Sequence, residues 1–176
     1  MERSVRSLSL PMSRKIAADL CAGDEILLSG TMLVGRDQVH EQFHKIIKAG
    51  KVLPVPLEGE TIFYMGPAPA PEGAVIGSCG PTTSSRMDPF TPELLDAGLV
   101  GMIGKGPRSS AVQEAVIRNG AVYFYAFGGC GALYAQKVTS IVCLAFQEFG
   151  PEALYRITIK DFPVIAAMDS RGVSIL

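Results

Sequence analysis

Three short loops hold the residues best suited to chemistry. Gly35-Arg36-Asp37, the run CGPTTSSRMD from Cys79 to Asp88, and Gly104-Lys105-Gly106 each place a cation directly after an apolar stretch. Gathered at one end of a sheet, Arg36, Arg86 and Lys105 would suit a small substrate bearing two carboxylates, because a guanidinium fork grips paired oxygens and an ammonium adds a point charge. Thr82, Thr83, Ser84 and Ser85 contribute hydroxyls and backbone N–H groups, and a turn of such groups favours anions. Singly, each has a plainer reading: a solvated loop arginine, a polar turn, a surface lysine between glycines. Their recurrence after successive strands is what makes one shared substrate-binding site the expectation.

Other catalytic patterns are absent or weak. GMIGKG, Gly101 to Gly106, is no phosphate-binding P-loop, since Gly106 stands where Ser or Thr must follow the lysine. GGCGALY lacks the last glycine of a dinucleotide fingerprint, and no segment forms the G-x-S-x-G elbow of a hydrolase. His40 and His44, at i and i+4, share a helix face but are a weak metal signal. Cys21, Cys79, Cys130 and Cys143 form no C-x-x-C pair and no zinc-like spacing with the histidines, so they are expected to be buried free thiols. No metal ligand is expected in the chain.

The elements that would position the three loops follow from periodicity. Residues 1–22 read as an extended N-terminal arm, and residues 23–176 as one domain. Glu25 to Val34 is strand-like; Asp37 can cap a helix whose apolar positions Val39, Phe43, Ile46 and Ile47 recur up to the stop at Gly50. Further strands are expected at Thr61–Met65, Ala74–Ser78, Leu99–Ile103, Ala121–Phe127, Ile141–Phe146, Tyr155–Ile159, Val164–Met168 and Val173–Ile175, the last two as a hairpin across DSRG. Three prolines make Gly66 to Gly73 an irregular connection. Helices are expected from Thr91, acting as cap, to Gly98, from Ser110 to Asn119, and near Ala132–Lys137. Strands alternating with helices predict a single layered α/β domain with a mixed sheet, with ligand groups collected beyond the C-terminal ends of strands.

Composition narrows the partners. The 176 residues carry 16 Lys plus Arg against 17 Asp plus Glu, a net charge of −1 without a basic tract, which argues against nucleic acid. No run reaches the length of a membrane span and the start lacks the apolar core of a signal peptide, so a cytoplasmic protein is expected. With 48% hydrophobic residues, 19% charged and a mean hydropathy of +0.28, some surface is expected to be covered by another chain.

GRDQVH, GPTTSSRMD, GMIGKG and the tail FGPEALYRITIKDFPVIAAMDSRG, in that order, closely resemble the β-subunit or C-terminal domain of class I fumarases and tartrate dehydratases. The resemblance implies a swivelling β/β/α fold and reversible hydration of a dicarboxylate, fumarate to L-malate, with tartrate dehydration as the alternative. It also implies an oxygen-sensitive [4Fe-4S] cluster held by a larger α-subunit and not by this chain, in a hetero-oligomer, or a homo-oligomer when alone. On the matching motifs the substrate-binding arginine falls on Arg36, the T-T-x-x-R loop on Thr82 to Arg86, the lysine on Lys105, and the catalytic threonine on Thr82. Such members more often carry a small residue and then Gly where this chain has Ser84 and Ser85. A non-catalytic dicarboxylate-binding or assembly module is the reading from a different class.

Overall fold

The computed structural model describes residues 5–176. Seven strands, β1 (Arg6–Leu10), β2 (Glu25–Val34), β3 (Thr61–Phe63), β4 (Gly101–Gly104), β5 (Val122–Tyr125), β6 (Val138–Ala145) and β7 (Leu154–Met168), form one mixed sheet in the order β1-β2-β3-β4-β5-β7-β6. β1 through β5 run parallel to their neighbours, whereas β7 is antiparallel to β2, β5 and β6. Because β7 pairs with both β5 and β2, hydrogen bonding runs through β2, β3, β4, β5 and β7 and back to β2. The mixed α/β character expected from the alternation is what forms.

Helices α2 (Asp37–Lys48), α3 (Thr91–Asp96) and α4 (Ser110–Asn119) cover one face, burying Val39, Phe43, Leu94, Leu95, Val112, Ala115 and Val116 against Leu33, Ile62, Tyr64, Met102 and Tyr123. Alternation along the strands sends Phe63, Met65, Ile103, Val122 and Phe124 to the opposite face, where they meet Phe162 and, from α1 (Arg14–Ala18) and α5 (Gly131–Ala135), Ala17 and Tyr134. Burying an aliphatic or aromatic side chain at such positions is worth about 1.5–3 kcal/mol. Two apolar layers therefore fix the register of the sheet, since a one-residue slip would exchange them. α4 begins with Ser109 accepting from the Val112 amide and closes at Gly120 in the left-handed region (φ 61°), as its sequence requires.

The structure departs from the sequence expectations at five places. Residues 1–4 of the expected arm lie outside the described residues, and the remainder of the arm is built into the sheet and core: β1 pairs with β2, and Leu10, Met12, Ala17 and Leu20 are buried. Ala74–Ser78 is not a strand; it folds back so that Ser78 O accepts from Ala68 N (3.0 Å), with prolines removing donors on the other arm. Tyr155–Ile159 and Val164–Met168 are one strand, β7. Asp161, at φ 51°, sits opposite the register shift between Leu28 and Gly30, and its amide donates to Ser29 Oγ (3.0 Å), so the charged Lys-Asp pair bends the strand without ending it. The expected terminal hairpin reduces to a Met168–Ser174 bridge and an Ile175 N to Ala167 O bond. Finally, neither Asp37 nor Thr91 caps its helix: the N-cap positions are Arg36 and Phe90, and Thr91 donates its hydroxyl to Met87 O (2.9 Å).

Candidate functional site

The three loops lie beyond the C-terminal ends of neighbouring parallel strands. Arg36 follows β2 and Lys105 follows β4. The segment 80–88 returns between them: Thr82 N donates to Tyr64 O just past β3 (2.7 Å), Ser84 N donates to Lys105 O (2.9 Å), and Thr83 bridges Lys105 in parallel fashion. This approach needs glycine at 104, since a Cβ there would collide with Ser84 Oγ and come within 2.9 Å of the Tyr64 ring. Ser84–Met87 then forms a single 3-10 turn that presents Arg86 outward.

The polar groups divide into accessible and engaged ones. Thr82 is largely buried, yet its hydroxyl has no partner among the described residues and is not sealed off. Thr83, Ser85 and Arg86 are exposed. Ser84 is fully buried, its hydroxyl donating to Tyr123 OH (2.9 Å), which in turn donates to Gly106 O (2.9 Å); the position expected to touch substrate thus ties two loops together instead. Arg86 is held in a two-point fork by Asp37, Nε to Oδ1 at 3.0 Å and Nη2 to Oδ2 at 2.7 Å, leaving Nη1 without a partner among the described residues. Since Arg36 precedes Asp37 directly, the fork brings the first and second loops together. Arg36 Nη2 meets Glu152 at 2.6 Å on the wall of an open cavity of about 490 Å³, and its Nε is buried without a partner among the described residues. Lys105 forms no ion pair among the described residues; its chain runs over Gly128, in the loop after β5. A larger apolar cavity of about 510 Å³, between Val75, Ile76, Ala132, Ala135 and Val138, holds no charged side chain and lies apart from these groups.

Sequence reasoning missed the groups that hold this end rigid. The Arg108 guanidinium is wholly buried: Nε donates to Asp88 Oδ1 (2.7 Å), Nη2 to Thr91 Oγ1 (2.8 Å), and its carbon lies 4.9 Å from the Tyr123 ring centre and 5.3 Å from that of Tyr64. Burial alone would favour the neutral form, but the Tyr64 and Asp88 oxygens outweigh it and the group is held more strongly cationic than usual. Asp88 Oδ2 also accepts from Ser109 N (2.7 Å), so the end of segment 80–88 is bolted to the start of α4. The only signal available was a charge two residues beyond the lysine loop, and its acidic partner lies 20 residues away.

His40-Glu41-Gln42-Phe43-His44 has the H-E-x-x-H spacing of zinc peptidases, but the side chains take separate duties. His40 is completely buried with Nδ1 on Arg36 O (2.9 Å), and desolvation pushes its pKa down to about 4. It is therefore neutral, with Nδ1–H donating. His44 pairs with Glu93 (2.6 Å) and Glu41 with Lys45 (3.8 Å). The cysteines, expected to be buried, are so only at Cys79, whose thiol burial pushes up to about 12; Cys130 is half-buried, and Cys21 and Cys143 are exposed. Among the described residues no group of three or more His, Cys, Asp or Glu side chains could hold a metal ion, so they do not fit an iron–sulfur cluster. No helix among them is long and apolar enough to cross a membrane.

Comparison with known proteins identifies the family. The family model described as the C-terminus of fumarase matches residues 2–176. The chain belongs to the fumarase C-terminus family. It is 38% identical over 171 residues to the anaerobic class I fumarate hydratase of Escherichia coli (strain K12), covering 94% of this chain and 31% of that protein. It is also 38% identical over 148 residues to the mitochondrial fumarate hydratase 1 of Leishmania major, covering 82% of this chain and 27% of the relative. A putative L(+)-tartrate dehydratase subunit beta of Methanocaldococcus jannaschii is 33% identical over 170 residues, with 93% of this chain and 87% of that subunit covered. The chain thus spans under a third of these two fumarate hydratases and 87% of the subunit; the relatives are named as hydratases and a dehydratase subunit.

Proposed function

We propose that this chain is the cation- and hydroxyl-bearing subunit of a hydro-lyase that interconverts fumarate and L-malate together with a larger partner. What supports the proposal is that the loops bearing Arg36, Thr82, Arg86 and Lys105 lie next to one another beyond the ends of β2, β3 and β4 in a member of this family. In the proposal Arg86 offers Nη1 to one substrate carboxylate while Asp37 fixes the plane of its guanidinium. Arg36 and Lys105 supply further positive charge. Removing a proton beside a carboxylate spreads negative charge onto its oxygens, and cations fixed in advance stabilise that charge more in the transition state than in the ground state.

Thr82 takes part in the proton transfer. An alcohol is a poor base unaided, so the free hydroxyl needs a neighbouring cation or an acid of the partner to tune it. Thr83 and Ser85 line the approach, and Ser84, through Tyr123, keeps the segment at its distance from Lys105. The [4Fe-4S] cluster is assigned to the larger partner, and this chain's share of the reaction is binding, orientation and proton handling. Tartrate is the second substrate candidate, favoured by the match of nearly the whole chain to a subunit named for tartrate dehydration. The test is an anaerobic assay with fumarate, L-malate and tartrate. The chain alone should be inactive and the complex with a cluster-bearing larger subunit active; robust turnover by the chain alone would overturn this division.

A further inference from the structure

Arg36 and Arg86 are both met by carboxylates of the chain itself, but in different ways. Asp37 grips Arg86 side-on through two hydrogen bonds and leaves a free amine pointing away from the fork, which suits a support. Glu152 meets Arg36 through Oε1 and Nη2 at 2.6 Å, and the buried Arg36 Nε has no acceptor among the described residues. The guanidinium lies beside Gly66, where a Cβ would come within 3.0 Å of Arg36 Cζ and Nε, and it lines the same cavity as Gln38, Phe149, Pro151 and Glu152. A buried donor left unmade is costly, about 1–3 kcal/mol, and a second carboxylate oxygen would relieve it.

The segment carrying Glu152 is built to yield. Gln147–Glu152 contains no buried residue. It is bounded by Phe146, a non-glycine residue in the left-handed region (φ 60°), and its two short turns are broken at Gly150 (φ 54°, ψ −120°). It is moored to the body by Tyr155 OH donating to Gly150 O (2.6 Å) and by Phe146 stacking edge-on against Phe43 (6.2 Å). Beyond those moorings, the Glu152 ion pair is its charged tie to α2's N-terminal end.

We infer that Glu152 is a resident carboxylate that occupies Arg36 in the free chain and is displaced by a substrate carboxylate, so that this residue sets the affinity of the site. This role rests on the dicarboxylate reading above. Glu152 is an affinity-setting residue and takes no part in the proton transfer. A partly exposed ion pair of this kind contributes modestly, so its removal should tighten dicarboxylate binding by about two- to fivefold.

The test uses the full chain as wild type, Glu152→Gln and Glu148→Gln. Glu148 is exposed in the same segment, so its variant removes the same charge without touching Arg36. Fumarate is titrated at constant ionic strength while amide shifts of residues 35–38 and 82–86 give Kd, and hydrogen exchange of residues 147–153 is followed in parallel. Tighter binding by Glu152→Gln, a change of less than about twofold for Glu148→Gln, and faster exchange of the segment when wild type binds fumarate would support the inference. Equal or weaker binding by Glu152→Gln would show that Glu152 supports Arg36 and would overturn it, leaving the dicarboxylate reading intact. Absence of fumarate binding in all three proteins, with Glu152→Gln still loosening the segment, would overturn the dicarboxylate reading and the inference with it.

Discussion

Replacing His40 by glutamine should remove a large acid-sensitive contribution to stability. His40 is fully buried, donates through Nδ1 to Arg36 O, and packs edge-on at 5.2 Å from Tyr64, with Nε2 unpartnered among the described residues. Its pKa falls from 6.5 to about 4, chiefly through desolvation and secondarily against the nearby Arg108 cation. Above pH 6.5 both folded and unfolded chains hold the ring neutral and the group contributes nothing to pH dependence. As pH drops through the unfolded value the unfolded chain takes up a proton that the native chain refuses, so native stability falls, by about 1.4 kcal/mol per unit. Between 6.5 and about 4 the loss amounts to about 3 kcal/mol, and it levels off below pH 4. Urea unfolding of wild type and His40→Gln across this range isolates the effect. Asp169 and Asp96, held low by their hydrogen bonds, and Glu60, raised by burial, are common to both proteins. The stability difference between them should shift by about 3 kcal/mol in the variant's favour on going from neutral pH to pH 4. A difference constant to within about 0.5 kcal/mol would refute the account of His40 as a group held neutral.

Three further outcomes are expected. Arg108→Met should cost about 2–4 kcal/mol by leaving the partly buried Asp88 carboxylate without its cation, whereas Arg108→Met with Asp88→Leu should recover part of it; equal losses in chemical denaturation would count against the pair as the bolt. Gly104→Ala should cost about 1–3 kcal/mol by forcing segment 80–88 off β4, and Ser84→Gly in the same chain should relieve it, as read from melting curves. Asp37→Asn should leave Arg86 charged but poorly oriented, and in the complex it should raise KM more than it lowers kcat, with Arg86→Lys unable to match wild type because an ammonium cannot reproduce the fork.

Much of the scaffold was legible because local pattern and tertiary structure agree. EILLSGTMLV became β2, and α4 ran from Ser110 to Asn119 between its serine cap and Gly120. The cations could be located after strands for the same reason. Legibility failed where long-range pairing outweighed local cues. The bend at Asp161 is absorbed by a register shift in a strand far away in sequence, and residues 6–10 find a parallel partner that no local signal announces. The supports of the site were hidden in the same way: Arg108 meets Asp88, Asp37 meets Arg86, and Glu152 meets Arg36 from the far end of the chain. Charged side chains are read as solvated until a partner appears, and partners separated so widely leave no periodic trace. His40, which looked like half of a weak metal pair, is a neutral ring locking the start of α2.

The most direct test of the central claim is the steady-state kinetics of the reconstituted complex with L-malate under anaerobic conditions, comparing wild type with Arg86→Ala and Thr82→Val. Arg86→Ala is expected to lose kcat/KM by about 10- to 100-fold, as befits a lost charge-assisted contact, while Thr82→Val lowers kcat with KM little changed. A fully active complex carrying Thr82→Val, or one indifferent to Arg86→Ala, would contradict it.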